Sequence, residues 1–182
     1  MMHVLYISVG GEDRIACFRR STLTGSLSHL ADAPVPGSPG ALCLLSGSGV
    51  GGQQQRLFCA CSRSSSSSEE PQGGIATLAV DEVSGGLTEI GWVPAAFGEA
   101  PCYLATDPTG RWLLTAHYSV GCCAVHSIAD GLAGAVSQEV ETAPQAHCIE
   151  TDPTGSFVFV PHVVRRTALC WGRLTAGVRD TR

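Results

Sequence analysis

Short apolar runs separated by turn residues recur along the chain, and this pattern predicts β-strands joined by tight turns. The clearest set lies between Ala100 and Ile128. Its apolar runs are residues 102–106, 112–118 and 122–128, separated by Asp-Pro-Thr-Gly at 107–110 and by Ser-Val-Gly at 119–121. Pro fixes φ at the second position of such a turn and Gly suits the fourth, so the stretch predicts an antiparallel meander.

The same pattern returns 45 residues further along the chain. Asp107–Gly110 recurs as Asp152–Gly155, each time after a Thr and with an Ala-Pro pair shortly upstream. A period near 45 residues with about four strands per unit is typical of a β-propeller, in which each small sheet buries its faces against its neighbours. A β-sandwich with two similar hairpins is the alternative, although sandwiches rarely keep a turn tetrapeptide in register.

The pattern predicts an all-β fold: a single partial β-propeller domain over residues 1–182, built from four-stranded antiparallel blades. The predicted units are blade 1 at about 3–32, blade 2 at about 40–93 with a Ser-rich loop at 62–72, blade 3 at about 100–141, an incomplete blade 4 at about 145–170, and an irregular tail at 163–182. Blade 1 starts at the position of a second strand, so it lacks an innermost strand.

Composition narrows the class of protein. The chain has 182 residues, 44% of them hydrophobic and 15% charged, with a formal net charge of −5. These values are typical of a globular protein and argue against a nucleic-acid-binding one. No apolar run approaches the roughly 20 residues of a membrane span. The N-terminus leads into a short strand-like run instead of a signal peptide, and the sequence predicts a cytoplasmic protein.

Nine cysteines and six histidines show no metal-binding spacing. There is no Cys-x-x-Cys pair, and His3, His29, His126 and His162 lack the spacing of zinc hydrolases, so no metal is predicted. The cysteines lie mostly in apolar runs, which predicts small buried side chains in a reducing compartment. No Walker or dinucleotide-binding glycine motif occurs, and no cofactor is expected.

The strings APCYLATDPTGRWLLTAHYSVGCCAVHSI and APQAHCIETDPTGSFVFVPH resemble the seven-bladed β-propeller lactonases, which include the bacterial-type 6-phosphogluconolactonases and the carboxymuconate-lactonizing enzymes. The resemblance covers about residues 3–162. It implies about three to four of seven blades in this chain. The family usually has Asn-Tyr where this chain has His117-Tyr118, and often two histidines flanking one residue where this chain has Gln145 and His147.

The resemblance implies a hydrolase that opens a sugar lactone to its acid in carbohydrate metabolism, in the pentose phosphate pathway. His147 is the candidate catalytic residue: at the start of an innermost strand it would face the channel mouth, and a neutral imidazole could act as general base. A histidine hydrogen-bonded within the blade is the alternative. His117, Tyr118 and Gln145 are the candidate substrate-binding residues, with a purely structural tyrosine as the alternative for Tyr118.

A phosphate-bearing substrate would need a cation at the channel. Arg14, Arg56 and Arg111 adjoin strands without a pattern that places them there, and Arg165 and Arg166 are the remaining candidates. Two other functions stay open: a carboxymuconate-type lactonizing isomerase, and a non-catalytic truncated propeller that acts as a binding module. Uncovered blade faces predict self-association. The expected partner is a small sugar lactone, with neither nucleic acid nor membrane.

Overall fold

The structure, a computed structural model, describes residues 3–45, 54–63 and 72–163, together with the backbone of 168–172. Most of the Ser-rich loop and both Arg165 and Arg166 therefore lie outside the described residues. Apart from one-turn 3-10 helices at Gly10–Glu12 and Ala96–Gly98, the regular structure described is β-strand. The predicted all-β class is confirmed.

Four antiparallel sheets, called blades 1 to 4, follow one another along the chain. Blade 1 contains β1 His3–Val9, β2 Arg14–Arg20 and β3 Leu27–Pro34, and blade 2 contains β4 Leu42–Leu45, β5 Arg56–Arg63, β6 Gln72–Val80 and β7 Leu87–Pro94. Blade 3 contains β8 Tyr103–Thr106, β9 Trp112–His117, β10 Cys122–Ala129 and β11 Leu132–Glu141, and blade 4 contains β12 Glu150–Thr151, β13 Phe157–Pro161 and β14 Ala168–Gly172. Within each blade the strands lie side by side in chain order, as in a meander.

Strand β14 lies where the sequence pattern indicates an irregular tail. It pairs antiparallel with β13, and Val160 lies opposite Leu169. The run Ala168–Gly172 is short and closely flanked by arginines, so its pattern of apolar and polar residues does not predict a strand. A neighbouring strand with free backbone groups is enough to recruit it.

Three apolar clusters fill the spaces between successive blades. Because neighbouring side chains of a strand point to opposite faces, the strands of blade 3 contribute to two clusters. Leu113 packs toward blade 2, whereas Leu114 and Ala116 pack toward blade 4, and all three are fully buried. This packing of each blade on the next is what the 45-residue repeat predicts.

The repeated Asp-Pro-Thr-Gly turns join the first and second strands of blades 3 and 4. The Asp107 carboxylate accepts backbone N–H groups of Thr109, Arg111 and Trp112. Asp152 accepts the equivalent three amides in blade 4. One aspartate thus satisfies the amides of a whole turn, which explains why the tetrapeptide keeps its register.

The antiparallel order places the other connections at the opposite end of the blades. This end, called the linker end, carries the three inter-blade linkers and the turn between β9 and β10. The linkers are residues 35–41, 95–102 and 142–149, and the turn is residues 118–121. In a propeller, loops gathered at one end of the channel are the usual place for a ligand site.

Candidate active site

Tyr118 and His147 meet at the linker end. Their ring centroids are 5.6 Å apart and their planes are inclined by 83°, which is an edge-to-face contact. Tyr118 opens the turn after β9 and is half-buried, whereas His147 lies in the linker between blades 3 and 4 and is exposed. The tyrosine ring therefore restricts the imidazole on one side and leaves it open to water on another.

The sequence pattern places His147 at the start of an innermost strand, but in the structure His147 lies in the linker before that strand. The innermost strand of blade 4 is reduced to β12 Glu150–Thr151. The backbone of His147 still pairs with the end of β13, since its N–H donates to the carbonyl of Pro161 at 3.1 Å. Next to this hydrogen bond, Ala146 and His162 form an isolated β-bridge. The left-handed backbone of Gln145, with φ of 63°, interrupts a longer strand here.

The linker that carries His147 is fixed against the turn that carries Tyr118. The Thr142 N–H and hydroxyl both donate to the carbonyl of Gly121, at 3.0 and 2.6 Å. Gly121 has φ of 68°, and a Cβ there would lie 2.8 Å from the Cα of Pro144. Only glycine combines this backbone conformation with so close an approach, so it helps to set the Tyr118–His147 contact.

Gln145 lies two residues before His147 and is half-buried. Its carbonyl accepts the N–H of Val163 at 3.2 Å, which ties the linker to the end of β13. The described contacts of Gln145 are thus made by its backbone. A contact of its side chain with a substrate stays a prediction.

His117 lies on the opposite face of β9 from the Tyr118–His147 contact. It is fully buried, on the side toward blade 2, and its Nε2 is 3.0 Å from the Thr115 hydroxyl. The Phe97 ring packs edge-on against it, with centroids 5.1 Å apart. The structure therefore brings Tyr118 and His147 together but does not bring His117 to them.

The pKa of His117 is lowered to about 4, chiefly by burial; the Glu99 carboxylate opposes this shift, and the nearby His126 adds to it by a smaller amount. His126, also fully buried, has its pKa lowered by burial as well. Its Nδ1–H donates to the carbonyl of Gly134 at 3.0 Å. The imidazole of His117 is therefore neutral near pH 7.

Sequence reasoning missed two residues beside His117, Phe97 and Glu99. Glu99 Oε1 lies 3.9 Å from Nδ1 of His117 and accepts the N–H of Ser119 at 3.2 Å. Neither residue belongs to a repeat or a periodic run, so no pattern marks them. The only local signal is that they precede the repeated Ala-Pro pair of a linker.

The described arginines at the linker end are engaged by carboxylates. Arg14 pairs with Glu12 and Asp32, and Arg63 holds Glu89 with two bonds of 2.8 and 2.6 Å. Arg56 and Arg111 lie at the other end, Arg56 beside Gly131 and Arg111 beside the Asp107 turn. In the described ranges, no group of three or more His, Cys, Asp or Glu side chains is arranged to hold a metal ion.

Residues 50–163 match the family described as "Lactonase, 7-bladed beta-propeller". The chain belongs to this family. It is similar to the 6-phosphogluconolactonase of Pectobacterium carotovorum subsp. carotovorum (strain PC1), with 35% identity over 127 residues, which are 69% of this chain and 37% of that protein. The 6-phosphogluconolactonase of Yersinia enterocolitica is 31% identical over 162 residues, which are 88% of this chain and 43% of that protein.

A solved structure shares the fold. The periplasmic gluconolactonase of Pseudomonas aeruginosa superposes with a TM-score of 0.73 at 23% identity, over 94% of this chain and 50% of that one. The chain thus spans about half the length of the known proteins it matches, or less. In the part that the structure describes, no helix has the length and apolar character needed to cross a membrane.

Proposed function

We propose that this propeller lactonase opens a sugar lactone to its acid, in the manner of a 6-phosphogluconolactonase, with His147 as general base. The observation that carries the proposal is the exposed imidazole of His147, held edge-on by Tyr118 at the end where the linkers gather. Membership in the lactonase family and the names of the relatives support the reaction type.

The reaction needs one proton acceptor that later returns the proton. His147 takes a proton from a water molecule while the water oxygen adds to the lactone carbonyl carbon. The ring C–O bond then breaks, and the leaving ring oxygen takes the proton from the imidazolium. The sum is lactone plus water giving a hydroxy acid, and no redox partner is required. The Tyr118 ring acts by orienting the imidazole.

Replacement of His147 tests this mechanism. We expect His147→Ala to lower the rate of acid release from a sugar lactone by about 10²-fold or more, because a positioned base contributes about that much. The measurement is titration of released acid with the 182-residue chain. His3→Ala, which removes an exposed histidine of β1, is the control. An unchanged rate in His147→Ala would remove His147 from the mechanism.

We also propose self-association through the outer faces of the first and last blades. Leu5 and Ile7 of β1 are 41% and 40% exposed, and Phe157 and Phe159 of β13 are 48% and 40% exposed. Their strand neighbours Tyr6, Val158 and Val160 face the apolar clusters, so these four side chains point away from them. Blade 1 of one copy would cover blade 4 of another.

The proposed cellular setting is the cytosol and the pentose phosphate pathway. The eight cysteines whose side chains the structure describes are free thiols, most of them buried. Burial raises the pKa of several, to about 12 for Cys59 and Cys123. Protonated, buried thiols suit a reducing compartment. The pathway follows from the name that the curated relatives carry.

A further inference from the structure

The linker between blades 2 and 3 carries a second group of side chains at the linker end. This group, called the Glu99 subsite, consists of Phe97, Glu99, His117 and Ser119. The Glu99 side chain is 27% exposed and the Phe97 residue 36% exposed, so both reach solvent. Phe97 has φ of 62°, a backbone conformation that a bulky residue rarely adopts and that clusters at functional sites.

His117 aims an unsatisfied nitrogen into this subsite. Nδ1 is buried and has no hydrogen-bond partner among the described residues, and Glu99 Oε1 lies 3.9 Å from it. The Thr115 hydroxyl lies 3.0 Å from Nε2 and can also donate its single proton to the carbonyl of Ala124 at 3.4 Å, so this contact allows the hydrogen on either ring nitrogen. A hydrogen on Nε2 alone would point the lone pair of Nδ1 at the Glu99 carboxylate, which is unfavourable. The geometry therefore favours a hydrogen on Nδ1, so that its N–H faces the Glu99 carboxylate.

The backbone of Glu99 is packed tightly against blade 2. A Cβ on Gly73 of β6 would overlap the carbonyl carbon of Glu99, so the linker rests directly on this glycine. The Ala95 N–H bonds to the Gly73 carbonyl at 2.9 Å and fixes the start of the linker. The backbone of Glu99 is thus held by a rigid element, and the Ser119 N–H holds its carboxylate, as a binding group needs.

The turn 118–121 connects the Glu99 subsite to His147. Tyr118 contacts the His147 ring, and the next residue, Ser119, donates its N–H to Glu99. The two linkers therefore flank one tight turn from opposite sides. A ligand that contacts both Glu99 and His147 would lie across that turn.

We propose that Glu99 binds a hydroxyl group of the sugar lactone and so orients its carbonyl toward His147, with His117 as a positioning residue and the Phe97 ring against the C–H face of the sugar. This inference rests on the proposed function. A carboxylate accepts hydrogen bonds from neutral hydroxyls and repels a phosphate, so the Glu99 subsite would hold a hydroxyl-bearing part of the lactone and not a phosphate group that the lactone carries elsewhere. A site built to bond a hydroxyl discriminates against analogues that lack it.

Substrate comparison tests the subsite. With D-glucono-1,5-lactone, we expect Glu99→Gln to raise KM about tenfold, because the hydrogen bond loses its charged acceptor. With δ-valerolactone, which has no hydroxyl, KM should stay unchanged. Glu139→Gln is the matched control, since Glu139 is exposed on the outer strand β11. An equal change with both lactones, or none with either, would overturn the proposal.

Binding of gluconolactam, a non-hydrolysable amide analogue, separates this proposal from the catalytic one. Calorimetry should show affinity about tenfold weaker in Glu99→Gln than in the unmodified chain. If no lactone is hydrolysed but this difference is found, the proposed function fails and the subsite stands. If hydrolysis is found but Glu99→Gln binds like the unmodified chain, the subsite fails and the proposed function stands.

Two variants of His117 test its role behind Glu99. His117→Asn keeps an N–H near the position of Nδ1 and should retain gluconolactam affinity within about twofold, whereas His117→Leu should weaken it about as much as Glu99→Gln. Circular dichroism checks the fold of each variant. Equal affinity of a folded His117→Leu would remove His117 from the subsite. If neither variant folds, Glu99→Gln alone decides the proposal.

Discussion

At the scale of single residues, the buried histidines are the groups whose charge the fold controls. His117 and His126 lie between blades 2 and 3 and are fully buried. Burial of an imidazole penalises its protonated form, which lowers the pKa of both. The unfolded chain carries no such penalty, so acid favours unfolding at these positions.

The pKa of His117, about 4 in the folded state against an ordinary 6.5, gives a testable pH dependence. As the pH falls, the unfolded chain binds a proton at His117 before the folded chain does. The stability that the neutral His117 contributes is therefore complete above pH 6.5 and is lost as the pH falls toward 4. The unfolding free energy should fall between pH 7 and pH 4.5, and we expect this fall to be about 2 kcal/mol smaller in His117→Asn than in the unmodified chain. Urea unfolding at both pH values measures this difference.

The control for this experiment is His3→Asn, at an exposed position of β1. It should keep the acid-induced loss of the unmodified chain. If His117→Asn keeps the same loss as this control, the buried imidazole does not account for the pH dependence of stability.

At the scale of elements, the site is positioned by linkers that rest on glycines. Gly73 supports the linker that holds Glu99, and Gly121 supports the linker that holds His147. At both glycines the backbone of the linker approaches so closely that a side chain at the glycine would not fit. The blades are rigid sheets, so a linker docked on them places its side chains with little freedom.

A methyl group at Gly121 should disturb this arrangement. Gly121→Ala introduces left-handed strain and a contact of 2.8 Å with Pro144 Cα, and we expect a loss of about 2–4 kcal/mol in unfolding free energy. Gly25→Ala is the matched control, since Gly25 has φ of 75° and nothing within 4 Å of a Cβ. It should lose only about 1–2 kcal/mol. Equal losses in urea unfolding would mean that the contact with Pro144 is not tight.

At the scale of the whole molecule, the described blades form a row with two apolar outer faces. Each inner face is covered by the next blade, whereas the outer faces of blades 1 and 4 carry exposed leucine, isoleucine and phenylalanine side chains. In a longer chain of the family, further blades would pack there. We expect the apolar outer faces of two copies of this chain to cover each other in the same way.

Self-association through these faces should depend on single side chains. We expect the unmodified chain to sediment as a dimer or larger species at micromolar concentration. Leu5→Glu and Phe159→Glu should each weaken the association about tenfold or more, because burial of a carboxylate in an apolar contact is costly. Val83→Glu, at a residue that is 90% exposed in the turn before β7, should leave it unchanged. A monomeric unmodified chain would contradict the proposal.

The sequence by itself determined the architecture, because that depends on local and repeated features. The Asp-Pro-Thr-Gly turns, the alternation of apolar runs and the 45-residue period were enough to predict antiparallel blades. The resemblance of two strings in the sequence indicated the family. The sequence also singled out Tyr118, which ends the apolar run 112–118, and His147, which lies shortly before the second Asp-Pro-Thr-Gly turn. Strand β14 was missed because pairing with β13, and not its own periodicity, makes it a strand.

Only the tertiary structure decided which side chains meet. His117 and Tyr118 are neighbours in sequence, but alternation along β9 and the turn after it send them to different linkers. Glu99 and His147 are brought to either side of one turn by linkers 48 residues apart (147 − 99). Such contacts depend on how blades pack and on where a glycine lets two backbones approach, and no local pattern in the chain carries that information.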